Sequence, residues 1–178
     1  MSASLRPLTL HEFLDWERSQ ELRYEFDGIQ PIAMTGGSRP HSRIGTRLLV
    51  ALAGRVKPPC EAFGPDLKVI TTGRARYPDV SVVCGSSSDD TGDLIEPAVV
   101  CEVVSPSTAL TDRRVKAIEY AAVPSILVYL VIEQDRPEVA IRRRSAVWDV
   151  EVVTGLDATV ELPEIGVSVP MSAIYGPA

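Results

Sequence analysis

Two carboxylates interrupt segments that are otherwise apolar. Asp79 stands in Tyr77-Pro78-Asp79-Val80-Ser81-Val82-Val83, and Glu102 in Val99-Val100-Cys101-Glu102-Val103-Val104. Side chains alternate along a strand, so Asp79 shares a face with Ser81 and Val83, and Glu102 with Val100 and Val104. A run apolar on both faces reads as a central strand. A carboxylate inside one is costly unless it is paired, hydrogen-bonded or bound to a metal. Taken singly, each acid has a plainer reading. Asp79 starts a strand after Pro78, and Glu102 makes a structural salt bridge. Taken together, on segments able to lie side by side, they form a candidate metal site. Mg2+ suits such a pair because it takes few protein ligands and keeps several waters, and Mn2+ is the alternative. Such an ion activates water and stabilises charge on a phosphodiester.

The elements that must position these acids are legible in outline. Thr9 and Glu12 form a capping-box pattern ahead of a short helix with Leu10, Phe13 and Leu14 at helical spacing. Tyr24 to Met34 reads as a hairpin about Asp27-Gly28. A second helix is predicted from about Arg39 to Val56, with Ile44, Leu48, Ala51, Leu52 and Val56 on one face, ending before Pro58-Pro59. Asp66 to Ile70 and Tyr77 to Cys84 are predicted strands. An acidic, serine-rich segment from Gly85 to Asp93, expected to be mobile, separates them from the strand Ala98–Val104. Ser105-Pro106-Ser107-Thr108 then breaks the chain. A helix follows from Asp112, as N-cap, to Ala122. Ser125 to Glu133 is a buried strand, Val139–Arg143 with Trp148–Val153 a second hairpin, and Leu162 to Tyr175 a short strand and helix. Mixed strands with interspersed helices predict an α/β fold, a mixed sheet flanked by helices with extra hairpins. No linker or repeat divides the chain, so residues 1–178 are expected to form one domain.

Composition narrows the chemistry. The 178 residues are 45% hydrophobic, enough to bury about 70% of the extended-chain surface. The net charge of −6 counts against constitutive, non-specific DNA binding, which wants a basic surface. Metal-binding carboxylates are part of that acid count. Cys60, Cys84 and Cys101 lack metal-ligand spacing, and Cys84 and Cys101 read as small buried hydrophobes. The expectation is a reducing, cytoplasmic setting without disulfides. No signal-peptide pattern opens the chain, and Ile126 to Ile132 is too short to span a bilayer. A two-carboxylate glycosidase wants an open, aromatic-lined cleft, and aromatic residues make up only 6%.

The segments Tyr24-Glu25-Phe26-Asp27-Gly28, His41-Ser42-Arg43-Ile44, Tyr77 to Val83, Cys101 to Thr108, and Asp112-Arg113-Arg114-Val115-Lys116 with Tyr120 resemble the Uma2 family, a restriction endonuclease-like domain of the PD-(D/E)XK superfamily. The resemblance runs from about Leu8 to Tyr175. It implies that Asp79 is the Asp of the Pro-Asp half-motif, and Glu102 the acid of the second half. It also implies a nuclease acting on DNA with Mg2+ or Mn2+, and a homodimer. The superfamily pattern places a lysine two residues after the second acid, and here that residue is Val104.

Lys116, one turn into the following helix, is the candidate replacement. It would orient the attacking water or neutralise charge. The plainer alternative is an exposed helix lysine paired with Asp112 at i−4. Lys68, in Asp66-Leu67-Lys68, is a weaker substitute, expected on a solvated strand face. Glu25 resembles the extra acid that many such nucleases carry on their first element. His41 opens the second helix after a Gly-rich approach, where an anion can bind, and is a candidate substrate contact, as is Arg113 with its neighbour Arg114. Arg142-Arg143-Arg144 is expected to be a solvated hairpin face. Two functions follow. One is a Mg2+-dependent endonuclease with Asp79 and Glu102 on the metal and Lys116 assisting the water. The alternative is a catalytically degenerate nuclease fold that binds nucleic acid or serves as a structural dimer.

Overall fold

The strand that follows Asp79 pairs directly with the strand carrying Glu102 in the computed structural model, which describes residues 6–34, 36–85, 95–104 and 111–176. β1 (Tyr24–Phe26) and β2 (Pro31–Ala33) form the first hairpin. Gly28 supplies its left-handed turn at φ 92°, a conformation open to glycine at little cost. β3 (Cys60–Phe63), β4 (Val69–Ile70), β5 (Ala75–Arg76), β6 (Val80–Cys84) and β7 (Val99–Val104) follow, then β8 (Val128–Glu133), β9 (Glu138–Arg143) and β10 (Val150–Thr154). A last hairpin joins β11 (Thr159–Leu162) to β12 (Val167–Pro170). The main sheet has the order β10-β9-β8-β7-β6-β3, and a four-stranded sheet has the order β2-β1-β5-β4.

Only β7 and β8 run parallel in the main sheet. They are its central pair, buried along their whole length, as apolar runs on both faces require. The connection between them carries a π-helical turn (Thr111–Lys116) that continues as α3 (Ala117–Ala121). α1 (Leu10–Glu17) starts at Thr9 with both halves of the capping box formed. α2 (Arg39–Ala53) starts at Ser38, whose hydroxyl accepts from the His41 N–H. It ends three residues short of Val56, with Gly54 at its C-cap. α4 (Met171–Tyr175) closes the chain.

The two faces of the main sheet have different covers. Val80, Val82, Cys101, Val103 and Leu130 pack with Leu48 and Leu52 of α2 and Ile174 of α4. Val100, Val104, Tyr129 and Val131 pack with Ala117 and Tyr120 of α3. Alternation therefore puts Glu102 on the α3 side. Val80 opposes Cys101 in the antiparallel ladder, and Asp79, expected inside a strand from Tyr77, stands one residue before β6. Among the described residues no helix is long and apolar enough to cross a membrane.

Several expectations are corrected. Cys60 and Cys84 are direct cross-strand partners on β3 and β6, joined as a disulfide with Cα atoms 4.0 Å apart. Cys84 is exposed at a strand end rather than buried, while Cys101 is buried. The reducing-compartment reading loses the support it drew from unpaired cysteines. Asp66 lies in a turn and Lys68 in an isolated bridge rather than in a continuous strand. Asp112 is the second residue of the π turn and is buried there. The segment from 86 to 93 and Ser105 to Thr108 lie outside the described residues.

Candidate active site

Glu25, Asp79, Glu102, Lys116 and His41 all line one cleft of about 670 Å³ between the β1–β2 hairpin and α2. Lys116 stands among its carboxylates. Its Nζ lies 2.9 Å from Glu102 Oε1, 3.1 Å from Glu25 Oε1 and 3.4 Å from Asp112 Oδ1. Both readings of Lys116 are thus met in part, because the i−4 partner Asp112 is present, yet the ammonium is buried rather than exposed. Burial opposes its charge, but Glu102, Glu25 and Asp112 together hold its pKa above the ordinary lysine value.

Glu102 also accepts a 2.8 Å hydrogen bond from the Tyr120 hydroxyl. Burial pushes its carboxyl up to about 8 against the pull of Lys116. Asp79 is held differently. Its Oδ2 accepts from the Val103 N–H at 2.7 Å and lies 3.2 Å from His41 Nε2. That hydrogen bond raises the His41 pKa, with burial opposing. His41 therefore points at a candidate metal carboxylate instead of outward. Gly37 makes room for it, since a Cβ there would stand 2.6 Å from His41 Nδ1.

Glu25 is fixed from behind. Arg76 Nη1 donates to Glu25 Oε2 at 3.0 Å. Arg76 Nε and Nη2 donate to the two oxygens of Glu119 at 2.7 and 2.9 Å. Arg74 Nη1 adds a third bond to Glu119 at 2.8 Å. Arg76 and Glu119 are absent from the sequence-derived set, and Tyr120 enters it without a role. One signal was available. Glu119 and Tyr120 lie three and four residues after Lys116, the spacing that shares a helix face. Arg76 had none, because it reaches the site through tertiary packing.

Two candidates go elsewhere. Arg113 pairs with Glu133, away from the cleft. Lys68 is buried with its Nζ 2.7 Å from Glu17 Oε2. Glu17 also accepts from the Tyr77 hydroxyl, so Lys68 belongs to the seat of α1. Arg114 is exposed on the π turn. The arginine run on β9 is not a free basic face. Arg142 donates to the Trp148 carbonyl, Arg143 pairs with Glu164, and Arg144 donates to the carbonyls of Ala121, Val123 and Ile126. Val104 is buried under α3 and supplies no polar group.

The donor set suits a sparse, water-completed cation site. Among the described residues no group of three or more His, Cys, Asp or Glu side chains forms a protein cage. Four carboxylates, Glu25, Asp79, Glu102 and Asp112, line the cleft together with Lys116 and His41. Of these, Asp79 and Glu102 are the pair that could share a divalent ion. Two carboxylates completed by water match Mg2+ better than a metal that demands four protein ligands.

Similar proteins place the chain in a family and a fold. An uncharacterized protein of Synechocystis is 33% identical over 180 residues, covering 98% of this chain and 94% of its own length. A second uncharacterized Synechocystis protein is 28% identical over 140 residues, 74% of this chain and 78% of its own. A crystal structure of a putative nuclease belonging to DUF820, from Anabaena variabilis, superposes with a TM-score of 0.73 at 21% identity. It covers 95% of this chain and 98% of that one, and so shares the mixed α/β nuclease fold. The family model described as putative restriction endonuclease matches residues 10–172, and the chain belongs to that family, Uma2.

Proposed function

We propose that this protein is a Mg2+-dependent endonuclease that hydrolyses DNA phosphodiesters, with Asp79 and Glu102 holding the metal. The observation that carries the reading is the Lys116 ammonium, 2.9 Å from Glu102 in the cleft that Asp79 also lines. The ion would supply Lewis acidity, lowering the pKa of a bound water and offsetting phosphate charge. Lys116, kept charged by its carboxylates, acts as an electrostatic group. It orients the attacking water and neutralises developing charge on the phosphate, and it does not serve as a base. Glu25 fixes Lys116 from the other side, and His41 and the Val103 N–H fix the Asp79 carboxylate. Mn2+ would serve in place of Mg2+.

A second reading rests on Val104. With an apolar residue where the superfamily pattern has its lysine, the fold would bind nucleic acid without turnover. One assay separates the two. Plasmid and single-stranded DNA are incubated with Mg2+ or Mn2+, comparing wild type with Glu102→Ala. The endonuclease reading expects cleavage by wild type and background in the variant. Equal activity in both overturns it. DNA binding by wild type without cleavage supports the second reading.

A further inference from the structure

The cleft has two uncharged walls of different character. On one side α2 presents Ser42, Gly45, Thr46 and Leu49, whose spacing puts them on one helix face. On the other side the β1–β2 hairpin presents Ile32, Ala33 and Met34, and Ile32 is 44% exposed. The acids of the cleft are already partnered. Lys116 lies within 3.4 Å of Glu25, Glu102 and Asp112, and His41 lies 3.2 Å from Asp79.

Gly45 is the informative residue. It stands inside a 15-residue helix, where glycine is a poorer helix former than alanine. Two common reasons for a glycine do not apply. Its φ is not left-handed, and a Cβ there would meet nothing within 4 Å, so no neighbouring element needs the space. The remaining use of a missing side chain is to let a ligand come close to the backbone, and this backbone faces the cleft. Ser42 and Thr46 flank it with exposed hydroxyls, groups that donate to phosphate and sugar oxygens. Arg39 and Arg43 are four residues apart, hence on one side of α2. Both are exposed, and among the described residues neither pairs with an acid.

The dimensions select among nucleic acids. From Ser42 to Leu49 the α2 wall runs about 10 Å, the length of about three nucleotides at the 3.4 Å rise of one strand. The cleft volume of about 670 Å³ is that of a pocket for one ligand chain. A duplex brings two phosphate strands across grooves about 6 and 12 Å wide, and its paired bases turn away from an apolar wall. An unpaired strand offers its base faces to such a wall. The net charge of −6 also favours the lower charge density of a single strand.

We infer, building on the nuclease reading given above, that the cleft takes one unpaired strand of nucleic acid. Its sugar–phosphate backbone runs along α2 at Gly45, with phosphates toward Arg39 and Arg43, and its bases lie against Ile32 and Met34.

The test uses the whole purified chain. A fluorescein-labelled single strand with phosphorothioate linkages, which resist hydrolysis, is titrated in Mg2+ buffer by fluorescence anisotropy and compared with its duplex. Cleavage of the same sequences with ordinary linkages is followed on denaturing gels, and folding by thermal unfolding. Wild type is expected to bind the single strand at least about tenfold more tightly than the duplex, the worth of one stacked base. Gly45→Ala should unfold at a higher temperature yet bind the strand more weakly, opposite signs that a purely structural glycine would not give. Gly45→Leu should weaken binding further, by about tenfold or more, and Ile32→Ser by about tenfold. Arg39→Gln/Arg43→Gln should flatten the salt dependence of binding by about 1.4 in log–log slope, two contacts at roughly 0.7 each. Equal affinity for the duplex, or a folded Gly45→Leu chain that binds like wild type, overturns the inference. Cleavage of the duplex with none of the single strand overturns it and leaves the nuclease reading standing. Neither binding nor cleavage of either nucleic acid overturns both. Should Gly45→Leu fail to fold, Gly45→Ala decides, and a lowered Tm with unchanged binding assigns Gly45 to packing and overturns the inference.

Discussion

Lys116→Met isolates the electrostatics of the cleft in the metal-free protein. The ammonium lies 2.9 Å from Glu102 and 3.1 Å from Glu25. At an effective dielectric near 20, each pair is worth about 5–6 kcal/mol of gross attraction. Burying the ammonium costs several kcal/mol in return, and removing one partner of a buried pair typically costs about 3–5 kcal/mol net. Methionine keeps most of the volume, so a cavity adds little. The loss depends on pH. Burial raises the Glu102 carboxyl from 4.5 to about 8 even with Lys116 present. A carboxyl raised in the folded state contributes stability that is present below about pH 4.5 and lost as pH rises through about 8.

Without Lys116 the carboxyl goes higher still, and the variant relieves its unpaired charge by taking up a proton. At pH 9 wild type keeps the ion pair while the variant must hold a proton on Glu102 against the solvent, and the gap is widest there, about 3–5 kcal/mol, roughly 10 °C in Tm for a chain of this size. At pH 6 Glu102 is protonated in both proteins, and the gap falls to roughly half, the remainder coming from Glu25 and Asp112. Urea unfolding with EDTA at the two pH values measures it. A gap equal at both, or larger at pH 6, refutes the electrostatic account of Lys116.

Two further outcomes are expected. Gly37→Ala places a Cβ 2.6 Å from His41 Nδ1 and drives the imidazole off Asp79, so its raised pKa falls back toward 6.5. A histidine NMR titration unchanged from wild type would show that His41 does not depend on that space. For the cysteines, native protein purified without reductant is expected to give no reaction with a thiol reagent, one thiol on unfolding and three on unfolding with reductant, since Cys60 and Cys84 are paired and Cys101 is buried. Three thiols on unfolding alone would deny the cross-strand pair.

What the sequence disclosed and what it hid divide along physical lines. The face of Glu102 follows from alternation along β7, whereas Asp79, expected inside a strand from Tyr77, stands one residue before β6. The start of α1 follows from local hydrogen bonding at Thr9. Lys68 was misplaced because alternation was applied where the chain turns at Asp66, and because its partner Glu17 comes from a helix fifty residues away. The Cys60–Cys84 pairing is a matter of β3–β6 register, which no local spacing encodes. Arg113 was a candidate substrate contact because it neighbours the proposed site in sequence. The segment winds as a π turn. In it Asp112 lies 3.4 Å from Lys116, while Arg113 pairs with Glu133.

The exchange of a strand lysine for a helix lysine follows from the same topology. β7 and β8 are parallel neighbours, so the chain between them must cross over the sheet, and a crossover of this kind carries its helix back onto one face. Here that face is the one bearing Glu102, where Ala117 and Tyr120 cover Val100 and Val104. A lysine at position 104 would stand beneath that cover, among Tyr129 and Val131, with no water to solvate it. A lysine one turn earlier in the same segment stands at the edge of the cover and reaches the carboxylate from above. Valine at 104 and lysine at 116 are therefore one arrangement. The apolar residue seats the helix, and the seated helix delivers the ammonium 2.9 Å from Glu102.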